Sequence, residues 1–208
     1  MIEKYIKGKI SVFIDAANIL YSQQTMGWEV DYKRLIEYFK KNFHLVFIGF
    51  YYGRIKENKG QEKFFQMLTD RGYTLRTKPV KYIKTPKGTV FKGNLDVELT
   101  LDMSQQIEKY DTAILFSGDS DFAPVVDFVK NKGKKVIVLS SRGHVARELA
   151  RAADKYIPFE SFKDIFRRKK SPRQLAGEVY SDKRITQKRQ TVNTIKIKKR
   201  GSNLRTKP

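Results

Sequence analysis

Short β-rich runs alternate with stretches of helical period over the first 166 residues, and this alternation restricts the chain to one broad architecture. Ile10-Ser11-Val12-Phe13-Ile14 is the first run. After a loop, Tyr32, Leu35, Ile36 and Phe39 recur at the spacing of one helical face. Leu45 to Tyr52 is a second β-rich run, and Phe64, Phe65 and Leu68 mark a helix that Gly72 ends. Tyr73 to Lys78 reads as strand, with an excursion around Thr85-Pro86-Lys87-Gly88. The pattern then predicts a helix over 94–109, a buried strand over 112–116, a helix over 122–131, a strand over 135–139, a helix over 144–153 and a short strand at 156–157. Strands separated in this way join by crossovers, which are right-handed and place helices on both faces of a sheet. The expected fold class is therefore α/β, a three-layer α/β/α domain with a mainly parallel central sheet.

Charge sets the expected domain boundary. Of the formal net charge of +21, residues 167–208 supply +13, from 15 Lys and Arg against Glu178 and Asp182. Like charges over such a length repel, and the segment has few large apolar residues. Residues 1–166 are thus expected to form the domain, and 167–208 a basic tail, disordered in isolation. Its uniform sign suits an electrostatic arm for RNA or DNA, with a merely solubilising tail as the plainer alternative. The 208 residues include no cysteine, which excludes disulfides, thiolate zinc sites and cysteine nucleophiles. Two histidines far apart, His44 and His144, give little support to a His-based metal site or a serine triad. Oxygen ligands are the chemistry left. The N-terminus carries charges where a secretory signal needs an apolar run, and no stretch approaches about 18 apolar residues. The chain is expected to be soluble and cytoplasmic, with no membrane partner.

Acidic residues punctuate the strand ends. Asp15 closes the first run, Asp119 and Asp121 follow the 112–116 strand in Ser117-Gly118-Asp119-Ser120-Asp121-Phe122, and Asp96 opens a helix in Lys92-Gly93-Asn94-Leu95-Asp96. In doubly wound sheets the ligand crevice lies beyond the carboxyl ends of the strands, where the strand order reverses. The simplest such order sets the first and fourth strands side by side there, and so brings Asp15, Asp119 and Asp121 together, with Asp96 approaching from the same edge. Each acid alone reads better as a turn residue or a helix cap than as a ligand. Four on one edge repel and need cations. An anionic pocket in a strongly basic protein suits divalent metal between the carboxylates and the phosphates of a polyanion, as in a metal-dependent nuclease. Asn18 adds an oxygen or an amide donor for metal or phosphate. Ser117 and Ser120 are candidates for phosphate or metal-bound water, and Lys92 for phosphate, although capping, turn formation and simple solvation explain these three as well.

The same residues carry a resemblance. Phe13 to Asn18, Phe91 to Leu99, Ser117 to Phe122 and Gly133-Lys134-Lys135-Val136 resemble the motifs of the NYN domain family (LabA-like), a branch of the PIN-like nucleases, over about residues 9–160 and including Leu149 and Asp154. The resemblance implies a PIN-like fold in which Asp15, Asp96, Asp119 and Asp121 bind Mg²⁺ or Mn²⁺ for RNA cleavage. The expected function is hydrolysis of phosphodiester bonds, with RNA favoured over DNA and no side-chain nucleophile. A non-catalytic RNA-binding or regulatory protein that keeps the fold is the alternative. A haloacid-dehalogenase-type phosphohydrolase is disfavoured, because it needs a second Asp where Ala17 stands. Asp102 is turned about 120° from Asp96 around the helix and Glu98 is expected to be exposed, so neither joins the site. Among the aromatics, Tyr82 is the better candidate for base stacking. Tyr51 or Tyr52 is expected in the core, and Tyr21 and Trp28 flank the first acidic loop.

Overall fold

The computed structural model describes residues 2–85 and 88–169, and the side chains of 82–92 lie outside that description. In chain order the elements are β1 (Lys9–Asp15), α1 (Ala16–Met26), α2 (Tyr32–Asn42), β2 (His44–Arg54), α3 (Lys59–Arg71), β3 (Thr74–Pro79), β4 (Lys81–Thr85), β5 (Gly88–Lys92), α4 (Asp96–Gln105), β6 (Thr112–Phe116), α5 (Ala123–Asn131), β7 (Lys135–Ser140), α6 (Arg147–Ala152), β8 (Lys155–Pro158) and α7 (Lys163–Phe166). Six strands form a parallel sheet in the order β3-β2-β1-β6-β7-β8. The expected α/β class and its parallel sheet are what the structure has.

Period-two alternation within the strands divides the apolar residues between two cores. Ile10, Val12, Ile14, Ile114, Phe116, Ile137 and Leu139 face one side, where Ile19 of α1, Leu35, Ile36 and Phe39 of α2, and Phe65 and Leu68 of α3 cover them. Phe13, Ala113, Leu115, Val136 and Val138 face the other, beneath Leu99 and Met103 of α4, Val125, Val126 and Val129 of α5, and Leu149 of α6. Each large side chain buried this way contributes roughly 1.5–3 kcal/mol. Phe159, Phe162 and Phe166 extend the first core beyond β8, with the rings of Phe162 and Phe166 stacked 5.0 Å apart. The Arg34 guanidinium fastens this end by donating to the carbonyls of Asp164 and Arg167. The compact unit runs through Arg168, whose amide donates to the Glu29 carbonyl.

Two segments differ from expectation. The loop expected after β1 is α1, whose buried face is only Ala16, Ile19 and Ser22, too thin a stripe to register as a helical period. Asp15 caps its N-terminus and Gly27, at φ 69°, its C-terminus. The excursion around Thr85 is an antiparallel hairpin of β4 and β5, with Thr85 opposite Gly88. Residues 86–87 at its tip lie outside the described residues. Alternating Tyr82, Lys84, Thr89 and Phe91 with Ile83 and Val90 is an ordinary strand pattern, masked in the sequence by the Pro-Lys-Gly turn signal.

The strand order reverses between β1 and β6, so their carboxyl ends open a crevice. The loop after β6 is pressed against the loop after β7. Ala146 donates its amide to the Gly118 carbonyl at 2.8 Å, and a Cβ on Gly118 would overlap the His144 carbonyl oxygen and come within 2.7 Å of Ser140 Oγ. Backbone cannot yield there as a flexible side chain would. Gly118→Ala is therefore expected to destabilise the fold by about 1–3 kcal/mol, the usual cost of overpacking, readable as a lowered denaturation midpoint. An unchanged midpoint would show that the two loops are not locked together.

Candidate functional site

Asp15 is the last residue of β1 and the N-cap of α1, so parallel pairing fixes its backbone and the helix start fixes its side chain. Its Oδ1 accepts from the Asn18 amide at 3.3 Å and its Oδ2 from the Ser117 hydroxyl at 2.9 Å. Burial pushes its pKa up to about 6. The two hydrogen bonds oppose that shift, while the negative charges of Asp96 and Asp119 add to it.

Asp119 accepts from the Asp121 amide at 3.0 Å, capping a turn of 3₁₀ helix, and its own amide donates to Ser117 Oγ at 3.2 Å. Capping occupies one carboxylate oxygen and leaves the other without a hydrogen-bond partner among the described residues. Capping and site formation are thus two uses of one side chain. Asp96 opens α4, where Asn94 holds it twice: Asn94 Oδ1 accepts from the Asp96 amide at 2.7 Å, and Asn94 Nδ2 donates to the Asp96 carboxylate. Burial raises the Asp96 pKa, the Asn94 bond counters it, and Asp119 and Asp121 raise it further.

One carboxylate oxygen from each of Asp96, Asp119 and Asp121 lies within 4.8 Å of the other two. Asp15 stands beside this trio and, with Asn18, Asp96 and Asp119, lines a cleft of about 600 Å³. The donor set is oxygen only, which fits a hard divalent cation. Asn18 adds to the fit, since its buried Oδ1 has no hydrogen-bond partner among the described residues.

The remaining expected residues divide by placement. Ser117 is fully buried, with its hydroxyl committed between Asp15 and the Asp119 amide. Ser120 is exposed on the turn beside the trio. Lys92 is the last residue of β5, and its side chain, like that of Tyr82, lies outside the described residues. Asp102 faces away as its offset requires, accepting from Tyr51 OH at 2.7 Å and Arg76 Nε at 2.8 Å. Glu98, expected to be exposed, is half-buried and paired with Lys78 at 2.7 Å, because the Lys78 side chain reaches the first turn of α4. Tyr51 is core, while Tyr52 is only partly covered and lines the cleft. Trp28 packs on Phe159, and Tyr21 is exposed with its ring against His144. Asn94 is the residue that sequence reasoning passed over, although Asn two residues before a helix-opening Asp is an Asx-turn signal.

Comparison with known proteins places this geometry in a family. The chain is 33% identical over 168 residues to the low amplitude and bright protein LabA of Synechococcus elongatus, covering 79% of this chain and 90% of that protein. It is 24% identical over 149 residues to an uncharacterised protein of Methanocaldococcus jannaschii, of which it covers 53%. A crystal structure of a protein of unknown function from Vibrio parahaemolyticus superimposes with a TM-score of 0.65 at 26% identity, over 78% of this chain and 97% of that one. The model of the NYN domain matches residues 9–161, which span every strand of the parallel sheet and all four acids, and the chain belongs to the NYN domain family.

Proposed function

We propose that this protein is a Mg²⁺- or Mn²⁺-dependent nuclease that hydrolyses phosphodiester bonds, with RNA favoured over DNA. One observation carries the reading: three carboxylates within 4.8 Å of one another, at the reversal of a parallel sheet, in a chain of net charge +21. Membership of the NYN family within the PIN-like nucleases supports it.

Asp96, Asp119 and Asp121 would hold the cation, and Asp15 would complete the set from the cleft wall. When bound, such an ion supplies Lewis acidity that polarises a phosphoryl oxygen and acidifies water. The chain's own residues do the positioning. Ser117 fixes the Asp15 carboxylate, Asn94 fixes that of Asp96, and the unpaired Oδ1 of Asn18 is available to the cation. Lys and Arg elsewhere, most densely in residues 167–208, supply the attraction for a polyanion.

Labelled RNA and DNA incubated with Mn²⁺, Mg²⁺ or chelator test the activity. Cleavage is expected only with metal, and Asp119→Asn is expected to lower it at least roughly 100-fold, the upper range for loss of a group that merely supports a metal ligand. Chelator-resistant cleavage by Asp119→Asn would refute the site. Tight binding of RNA without cutting would favour the regulatory alternative.

A second test uses the Asp15 titration. Its folded pKa of about 6 lies above the ordinary 3.8, so between these values the native state binds more protons than the unfolded chain. Metal-free stability from this group is therefore greatest below about pH 4 and falls as pH rises through 6. Asp15→Asn keeps an acceptor for the α1 cap and removes the charge. In chelator at pH 7.5 it is expected to be more stable than wild type by on the order of 2 kcal/mol, with the gap closing toward pH 4.5. A variant less stable than wild type at pH 7.5 would mean that the ionised Asp15 is a net structural asset.

A further inference from the structure

A second cleft, of about 850 Å³, adjoins the acidic one and shares Tyr52 and Ile55 with it as common wall. It opens on the opposite side of the β2 end, between α1 and the start of α3. The shared wall puts the two clefts next to each other at the carboxyl end of β2. The volume is that of a ligand site.

Its chemistry differs from that of its neighbour. Glu29 and Asp31 are balanced by Lys33 and Arg168, and Glu29 and Arg168 pair at 3.1 Å, so the cleft is neutral by formal charge. Tyr32, Tyr52 and Phe64 supply aromatic wall, with the Tyr32 and Phe64 rings packed edge to face. Tyr32 is 6% exposed, yet its hydroxyl is buried with no hydrogen-bond partner among the described residues. Such an orphan beside the cleft is costly. Gln24 offers a carboxamide without a partner among the described residues, and Asn58 spends its Oδ1 on the α3 cap while its side-chain Nδ2 has no partner among them. Gln61, by contrast, is fully committed to the Gly53 carbonyl and the Ile55 amide, so it shapes the wall and is not free to bind.

Aromatic faces edged by carboxamides and phenols, without net charge, are the surroundings that hold an unpaired nucleobase. We infer that this cleft is a base-binding subsite, which receives one unstacked base of a single strand whose neighbouring phosphate lies at Asp15, Asp96, Asp119 and Asp121. The inference rests on the nuclease reading for its substrate class, and Tyr52 at the shared wall is the residue on which the base stacks. Gln24 reads the edge of that base.

The test measures binding in chelator, where no metal-dependent cleavage takes place, so it is independent of the activity assay. Full-length protein is titrated with a fluorescent single strand made wholly of stable abasic residues, and with the same strand carrying one adenine or one uracil nucleotide. Repulsion from the carboxylates acts on these strands alike, so their difference isolates the base. One base is expected to tighten binding about tenfold. Tyr52→Leu, which keeps apolar cover over Phe65, is expected to erase that gain, and Gln24→Ala, an exposed position on α1, to change the ratio of adenine to uracil affinity. Equal affinity for abasic and base-bearing strands, no binding of either, or a base-dependent gain that survives unchanged in both variants would overturn the inference. Cleavage with metal but without the Tyr52-dependent gain would leave the nuclease standing and remove the subsite.

Discussion

Asp96, Asp119 and Asp121 each bring a carboxylate oxygen within 4.8 Å of the others, and the repulsion among them is the constraint around which this end of the molecule is arranged. Like charges in a partly desolvated cleft move apart, take up protons or accept a cation. Movement is opposed by hydrogen bonds at three of the four acids. Asp119 is held by capping its own turn, Asp96 by two hydrogen bonds with Asn94, and Asp15 by Ser117 and the α1 start. The raised pKa values of Asp15 and Asp96 come first from burial and then from this crowding.

The parallel sheet makes the crowding unavoidable. β1 and β6 pair from Ile10 with Thr112 to Ile14 with Phe116, so Asp15 and Ser117 leave the sheet side by side. Their strands are fixed by two cores that cannot shift without exposing fully buried Ile14, Phe116 and Leu115. The contact of Gly118 with the His144 backbone adds a further clamp from the β7 side. Hydrophobic burial distributed across both faces thus holds charges in an arrangement that they would not adopt alone. On the nuclease reading, a bound cation would recover that stored cost and stabilise the fold by mass action.

Much of this was legible in the chain. β-rich runs at 10–14, 45–52, 112–116 and 135–139 gave the strands, and their separation by helical stretches gave parallel pairing with β1 beside β6, which in turn placed Asp15 next to Asp119. The misses have physical causes. α1 buries small Ala16 and Ser22 around a single Ile19, and its helix is set by the Asp15 cap and Gly27 more than by period. The β4-β5 hairpin has its turn residues inside one short excursion. Phe159, Phe162 and Phe166 belong to turns too short for a periodicity signal, although three buried phenylalanines close the first core. Which three of the four acids draw closest depends on side-chain reach from a 3₁₀ turn, and strand order carries no information on that. Asp154 shows how a motif residue can be structural, since it accepts from the Val136 amide and from Lys135 Nζ, both at 2.9 Å.

The central claim is that the acids form a cation site and are not merely caps. Thermal unfolding of wild type and Asp119→Ala, each with Mn²⁺ and with chelator, tests it most directly, because loss of a cap and loss of a ligand act oppositely. A site-bound ion stabilises by RT ln(1 + [L]/Kd), about 2.7 kcal/mol at a hundredfold excess over Kd. Wild type is expected to gain a concentration-dependent rise in midpoint with Mn²⁺, and Asp119→Ala to lose most of that rise while its metal-free midpoint changes little. No Mn²⁺-dependent shift in wild type, together with a cap-sized loss of about 1 kcal/mol or more in metal-free Asp119→Ala, would contradict the account.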